Sequence, residues 1–270
     1  MTRRDFLRTS SITAVGAVPV LRALAHEANP YAPFKMGIQS YSLRGFKLDQ
    51  ALAVTKELGL GYWEGWEGHV PMSENLADRS ENRLKLKNAG VKMTTFGVVG
   101  FNADAARSRK IFEFGRAMGV EVLSADPTPE AFDELEKLTE EFDIRIAIHN
   151  HGPRSRYDKI SSVVDAVKNR SKRIGASVDT GHYLRSSESP VEALKRLEGR
   201  VFSVHLKDVK DATQFKILGQ GDLDVVGCLK TLKAQGYGYT LALEYEENPQ
   251  NPTPDLVECL RVVRDGLRQI

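Results

Sequence analysis

The chain has 270 residues, 41% hydrophobic and 27% charged, with a formal net charge of +2. That is ordinary globular composition with room for one large core, built as two domains or as a single α/β barrel. Basic residues are spread among acidic ones as on a solvated surface, and no basic stripe is interleaved with aromatics, which speaks against nucleic acid as a partner.

The first 25 residues read as a separate segment. Arg3-Arg4, then Phe6-Leu7, then the mildly apolar ITAVGAVPVL, then Ala23-Leu24-Ala25 before His26 follow the order of a twin-arginine export signal. The apolar run is too short for an ordinary transmembrane helix. The expectation is a mature protein that begins near His26 and reaches the periplasm through the twin-arginine export machinery. It would be soluble, with no stable membrane anchor after processing. A frayed basic amphipathic tail is the plain alternative.

Beyond that segment, β-rich runs alternate with helix-period segments. In chain order the pairs are KMGIQS with LDQALAVTKELGL, YWEGW with RSENRLKLKNAG, KMTTFGVV with DAARSRKIFEFGRAMG, and VEVLSA with TPEAFDELEKLTEEF. They continue as IRIAIHN with KISSVVDAVKN, IGASVD with SPVEALKRLEG, VFSVHLKD with DVVGCLKTLKAQG, and YTLALEYE with TPDLVECLRVVRDGL. Gly59, Gly90, Gly119, Gly199 and Gly236 stand where helices should end, and Pro190 and Pro254 suit helix starts. Eight strand–helix units with no GxGxxG loop after the first strand predict a single closed (β/α)8 barrel over residues 34–270. Cys228 and Cys259 fall in predicted helices and read as two buried, unpaired thiols, although an oxidising compartment would permit a disulfide.

In such a barrel, chemistry gathers at the C-terminal ends of the strands. Those ends carry Glu64, Glu67 and His69 after the second strand, His149 and His151 on the fifth, and Asp179 and His182 on the sixth. The seventh ends in His205, Lys207 and Asp208, and the eighth in Glu244 and Glu246. Four of the six histidines thus lie on three consecutive strand ends. Residues two apart on a strand share a face. The bulky Ile146 and Ile148 suit packing against helices, which leaves His149 and His151 facing inward, roughly 6–7 Å apart by strand rise. One consistent inward set is His149, Asp179, His205 and Glu244. Two imidazoles and two carboxylates suit Mn²⁺, Co²⁺, Fe²⁺, Zn²⁺ or Mg²⁺. Blander readings stand beside this one. Asp179-Thr180 could cap a short helix. Lys207-Asp208 could be a surface ion pair, and Glu246 and Glu247 solvated. Trp63 and Trp66 could be packing or a sugar-stacking wall.

On SVDTGH, VHLKD, GQGDLD and LALEYE the chain resembles the sugar phosphate isomerase/epimerase superfamily of xylose isomerase-like barrels, over roughly Phe34 to Ile270. The resemblance implies metal ligation by Asp179, His205 and Glu244, with His149 as the strand-five ligand. It also implies substrate contacts from His182 and from a substrate-facing Glu64 in EGWEGH, with His69 nearby. Sugar epimerases of this family place a glutamate where this chain has His149. HNHG looks more like the branch of inosose dehydratase-like and 3-keto-glycoside-processing enzymes, which implies lyase or isomerase chemistry through an enediolate. A small-molecule carbohydrate is the implied substrate. Glu244, His151, Lys207 and His182 are the candidate acid–base residues, with Lys207 donating to the oxyanion or to a leaving oxygen. Rival readings are a metal-dependent phosphoesterase of the endonuclease-like barrel type, which the near-neutral charge opposes, and an exported sugar-binding barrel without activity. A homo-oligomer is compatible with the sequence.

Overall fold

The computed structural model describes residues 29–270, so the predicted export signal lies outside the described residues. Eight parallel strands form the frame: β1 (Lys35–Gln39), β2 (Tyr62–Gly65), β3 (Lys92–Phe101), β4 (Val122–Pro127), β5 (Arg145–His149), β6 (Ile174–Asp179), β7 (Val201–Leu206) and, after a short antiparallel hairpin of β8 (Asp208–Lys210) and β9 (Gln214–Lys216), β10 (Thr240–Leu243). They close as a barrel in the order β1-β10-β7-β6-β5-β4-β3-β2. The helices are α1 (Leu48–Glu57), α2 (Leu76–Ala89), α3 (Ala105–Met118), α4 (Phe132–Phe142), α5 (Ile160–Val167), α6 (Thr180–Arg185), α7 (Pro190–Arg196), α8 (Val225–Ala234) and α9 (Thr253–Leu267). The eight predicted strand–helix units are therefore all present, with β10 as the eighth barrel strand.

Local chemistry explains the element ends. Gly90 and Gly119 close α2 and α3 in the left-handed conformation, at φ 73° and 78°, which glycine adopts without the backbone penalty a Cβ brings. Helix α2 starts three residues before the predicted Arg79, because the Asn75 side chain accepts the Ala77 amide at 2.8 Å. Apolar residues on the outer strand faces pack against the helices. Trp63 shows the pattern: it is fully buried, and its indole N–H donates to Thr55 Oγ1 of α1 at 2.8 Å. Burial of one such side chain contributes about 1.5–3 kcal/mol. Trp63 is thus packing. Trp66 remains half-buried, edge-on to Tyr41. Cys228 and Cys259 are buried and free, as expected, and the Cys259 thiol accepts the Leu218 amide.

The polar residues come together because the parallel register aligns the strand ends. Asp179 is paired with His205 across β6 and β7, His149 with Ser177 across β5 and β6, and Gln39 with Glu64 across β1 and β2. The Glu244 amide donates to the Leu206 carbonyl at 3.0 Å and continues the β10–β7 ladder by one residue.

Candidate metal centre

Each residue of the DTGH stretch has a separate task. Asp179 ends β6 and caps α6: its Oδ1 accepts the His182 amide at 2.7 Å, while Oδ2 turns into the barrel mouth. The helix-cap and site readings of this aspartate therefore hold together. Thr180 Oγ1 accepts the Lys207 amide at 2.9 Å and lies 2.7 Å and 3.0 Å from the Lys207 and His205 carbonyls, which ties α6 to the end of β7. At Gly181 any Cβ would stand 2.6 Å from Lys207 Cγ, so glycine lets the lysine stem cross the helix. From the next strand, Asn150 exchanges two hydrogen bonds with the Asp179 backbone, at 2.9 and 2.8 Å.

Four strand ends then bring one donor atom each from His149, Asp179, His205 and Glu244 within 4.8 Å of one another, all buried. His149 Nε2 lies 3.3 Å from His205 Nδ1 and 3.7 Å from Asp179 Oδ2. His205 Nδ1 lies 2.9 Å from Glu244 Oε2 and 3.5 Å from Asp179 Oδ2. Both carboxylate oxygens are shut off from water, and the Lys207 ammonium lies 2.9 Å from each. Two nitrogens and two buried carboxylate oxygens facing one point are the donor set of a divalent cation, and these residues fit one. His149 belongs to this set and His151 does not. Strand β5 ends at His149, so the chain turns and the two rings lie 4.5 Å apart between centroids, closer than strand rise implies.

Glu64 and His69 are placed differently from the expectation that they face substrate. Glu64 is fully buried beneath His205: its Oε2 lies 2.9 Å from His205 Nε2 and accepts the Ser203 hydroxyl at 2.9 Å, and its Oε1 accepts the Gln39 amide at 3.1 Å. With both oxygens engaged inside the barrel, Glu64 orients the histidine instead of reaching the mouth. His69 is packed among the rings of Trp63 and Trp66, with Nε2 3.1 Å from the Phe46 carbonyl. Among the described residues, no hydrogen bond or ring contact joins His69 to the four-residue set.

Lys207 and Asp208 are not a surface pair either. Lys207 is 2% exposed, its Nζ 2.9 Å from both Asp179 Oδ2 and Glu244 Oε2, and it donates to Glu246 Oε1 at 2.6 Å. Glu246 is correspondingly only 23% exposed at the side chain, not freely solvated. Asp208 is buried and receives the amides of Val209, Gly219, Gly221 and Leu223, so GQGDLD is a loop wrapped around one carboxylate.

Burial and neighbouring charge oppose each other across the cluster. Burial disfavours the charged forms of Asp179 and Glu244, but the Lys207 ammonium overrides it and holds both carboxyls below their ordinary range. Burial likewise lowers His205, yet Glu64 and Glu244 beside it raise it well above an ordinary imidazole. Lys207 is raised by Asp179, Glu244 and Glu246 against its burial. His151 and His182 follow burial instead and fall to about 4 and about 3, so both are neutral at neutral pH. Sequence reading missed Gln39 and Ser203 behind Glu64, and Arg185 and Phe215 beside His182. Ser203 was within reach, since it is two residues from His205 on the same strand face.

An inosose dehydratase of Clostridium botulinum is 28% identical over 145 residues, 45% of this chain and 47% of that one, so the match spans about half the relative's length. An inosose dehydratase of Clostridium perfringens is 22% identical over 272 residues, 86% of this chain and 89% of its own. The IOLI protein, in a structure with a binding zinc atom, superposes with a TM-score of 0.72 at 15% identity over 87% of this chain and 99% of its own. Residues 52–264 match the xylose isomerase-like TIM barrel family, and the chain belongs to that family.

Proposed function

We propose that this protein is a divalent-metal-dependent lyase or isomerase of a keto-sugar or cyclitol, which removes a proton beside the carbonyl and favours loss of a β-oxygen. The carrying observation is the buried two-histidine, two-carboxylate set beside a buried ammonium and an unengaged imidazole. A divalent cation held by His149, Asp179, His205 and Glu244 supplies Lewis-acid polarisation of the substrate carbonyl. His151 takes the α-proton. It is neutral at neutral pH and half-buried, and among the described residues neither ring nitrogen has a hydrogen-bond partner. The C–H electron pair becomes the enediolate, whose negative charge faces the protonated Lys207. His151 then returns its proton to the β-oxygen as that C–O bond breaks, and water leaves. Glu244 is the carboxylate that would take the substrate proton in the absence of His151. An epimerase working through two glutamates lacks its second, because β5 ends in His149. The inosose dehydratase relatives support the lyase outcome.

The test loads purified protein in turn with Mn²⁺, Co²⁺, Zn²⁺ and Mg²⁺ and follows an inosose, a 3-keto-glucoside and a free ketose in D₂O by NMR. Expected is metal-dependent deuterium at the α-carbon, with a dehydrated product from at least one substrate. His151→Ala should lose elimination while Glu244 still supports slow exchange. Sugar bound without exchange or product in every metal form would replace the enzyme with a sugar-binding barrel. Interconversion of two C3 epimers with no eliminated product would replace the lyase with an epimerase.

A further inference from the structure

We infer that Arg185 is a positioning residue that locks His182 in the tautomer with its proton on Nε2, so that His182 presents a donor and not an acceptor to the site. His182 stands between two groups that can only donate. Arg185 Nη1 lies 3.2 Å from its Nδ1, and Lys207 Nζ lies 3.5 Å from its Nε2. A neutral imidazole has one acceptor nitrogen and can satisfy only one of these partners. A doubly protonated ring would satisfy neither and would set three cations side by side. The shorter contact takes the lone pair, so Arg185 donates to Nδ1 and the proton resides on Nε2. Lys207 has no need of His182 as an acceptor, since Asp179, Glu244 and Glu246 surround its ammonium.

The guanidinium is held in place without an ion pair. Its Cζ lies 5.3 Å from the centroid of the Phe215 ring, and on another side a Cβ at Gly152 would stand 2.9 Å from Nη1. Among the described residues no carboxylate lies within 4.0 Å of it. Phe215 reaches this point because the β8–β9 hairpin carries it there, with its ring 6.4 Å from that of His182. His182 Nε2–H and the Lys207 ammonium are then adjacent donors, a pair suited to one negatively charged substrate oxygen. That last step rests on the proposed lyase or isomerase reading; the tautomer does not.

The test is nitrogen-15 NMR of zinc-loaded, histidine-labelled protein, in which two-bond proton–nitrogen correlations show which ring nitrogen bears the proton. His182→Gln identifies the resonance. Wild type should show the Nε2–H form, and so should Arg185→Lys, which keeps a donor. Arg185→Met frees Nδ1 and leaves Lys207 as the nearer donor, so the ring should move to the Nδ1–H form or a mixture. Gly152→Ala pushes the guanidinium aside without changing its charge and should shift the tautomer in the same direction, which keeps the test open if Arg185→Met fails to fold. An Nδ1–H ring in wild type, or an unchanged Nε2–H ring in both Arg185→Met and Gly152→Ala, overturns the inference. In the exchange assay, Arg185→Met should lower kcat on the order of 100-fold, as for loss of one oxyanion donor, with KM little changed and partial recovery in Arg185→Lys. The expected tautomers with no turnover of any keto-sugar would uphold the inference and sink the lyase reading alone.

Discussion

Replacing Asp208 with Asn changes one atom and should destabilise the protein measurably. Asp208 is 1% exposed and accepts four backbone N–H groups, from Val209 and Leu223 on Oδ1 and from Gly219 and Gly221 on Oδ2, at 2.8–3.0 Å. Asparagine has one acceptor oxygen, so whichever way the amide turns, two N–H groups face an NH₂. Hydrogen bonds to a charged group are worth about 1.5–3 kcal/mol each, so the loss reaches about 3–6 kcal/mol. The loop can escape part of this by detaching. Its anchors are the buried Leu218 and Leu223, at about 1.5–3 kcal/mol each. The expected loss in urea unfolding is therefore about 3–4 kcal/mol, a large share of an ordinary domain's 5–15 kcal/mol or so. Hydrogen exchange should show the Gly219 and Gly221 amides losing protection before the barrel amides do. A change under about 1 kcal/mol with those amides still protected would refute the view that this carboxylate organises the loop.

Asp179→Ala and His205→Ala should each abolish tight divalent-metal binding while circular dichroism reports an intact barrel; stoichiometric metal in either variant removes that residue from the ligand set. Metal-free protein should lose stability as pH falls from 6.5 toward 4, because burial holds His151 and His182 at about 4 and about 3 while the unfolded chain protonates near 6.5. The unfolded state then binds more protons, at up to about 1.4 kcal/mol per pH unit for each ring; urea midpoints equal at pH 7 and pH 5 would show that neither ring is held neutral. We also propose that residues 1–25 direct export, so replacing Arg3 and Arg4 with Lys should strand the precursor in the cytoplasm, and unchanged export would show another route.

Where sequence reading succeeded, it used periodicities that the backbone obeys wherever a strand is long enough. Alternation on the fifth, seventh and eighth barrel strands turns His149, His205 and Glu244 inward, and the strand-end position adds Asp179, because a parallel barrel leaves only the strand ends open. It failed where partners come from across the barrel. The sequence offers Lys207 both as an acid–base candidate and as half of a surface pair with Asp208, and adjacent residues cannot decide between them because its partner Glu246 lies thirty-nine residues away. Glu64 carries no mark of its depth, which follows from its neighbours Ser203 and Gln39 on other strands. The β8–β9 hairpin was invisible for a different reason. Its strands are three residues long, and its turn puts Asp211 and Ala212 at φ 50° and 55°, where alanine gives no signal of a left-handed turn.

The buried charge gives a physical reason for the fully buried Glu64 in this site. Glu64, Asp179, Glu244 and Glu246 crowd around the Lys207 ammonium and the His205 ring, with His149 3.7 Å from Asp179, in a space largely closed to water. Unbalanced buried charge costs several kcal/mol per ion or so, and in the metal-free protein part of the balance comes from His205, which Glu64 and Glu244 hold protonated against its burial. Such a ring carries a proton on each nitrogen, one facing Glu244 and one facing Glu64. Were the four-residue set to hold a divalent cation, His205 would have to give up the proton on the nitrogen facing the other donors, and the cation's charge would more than replace it. The second proton would stay, because the Glu64 carboxylate faces Nε2 at 2.9 Å on the closed side of the ring and favours the tautomer that leaves Nδ1 free. Without Glu64, the neutral ring could place its remaining proton on Nδ1 and turn an N–H toward the three other donor atoms. The strand-two glutamate would thus act on a cation at this set through His205, and its complete burial suits that task.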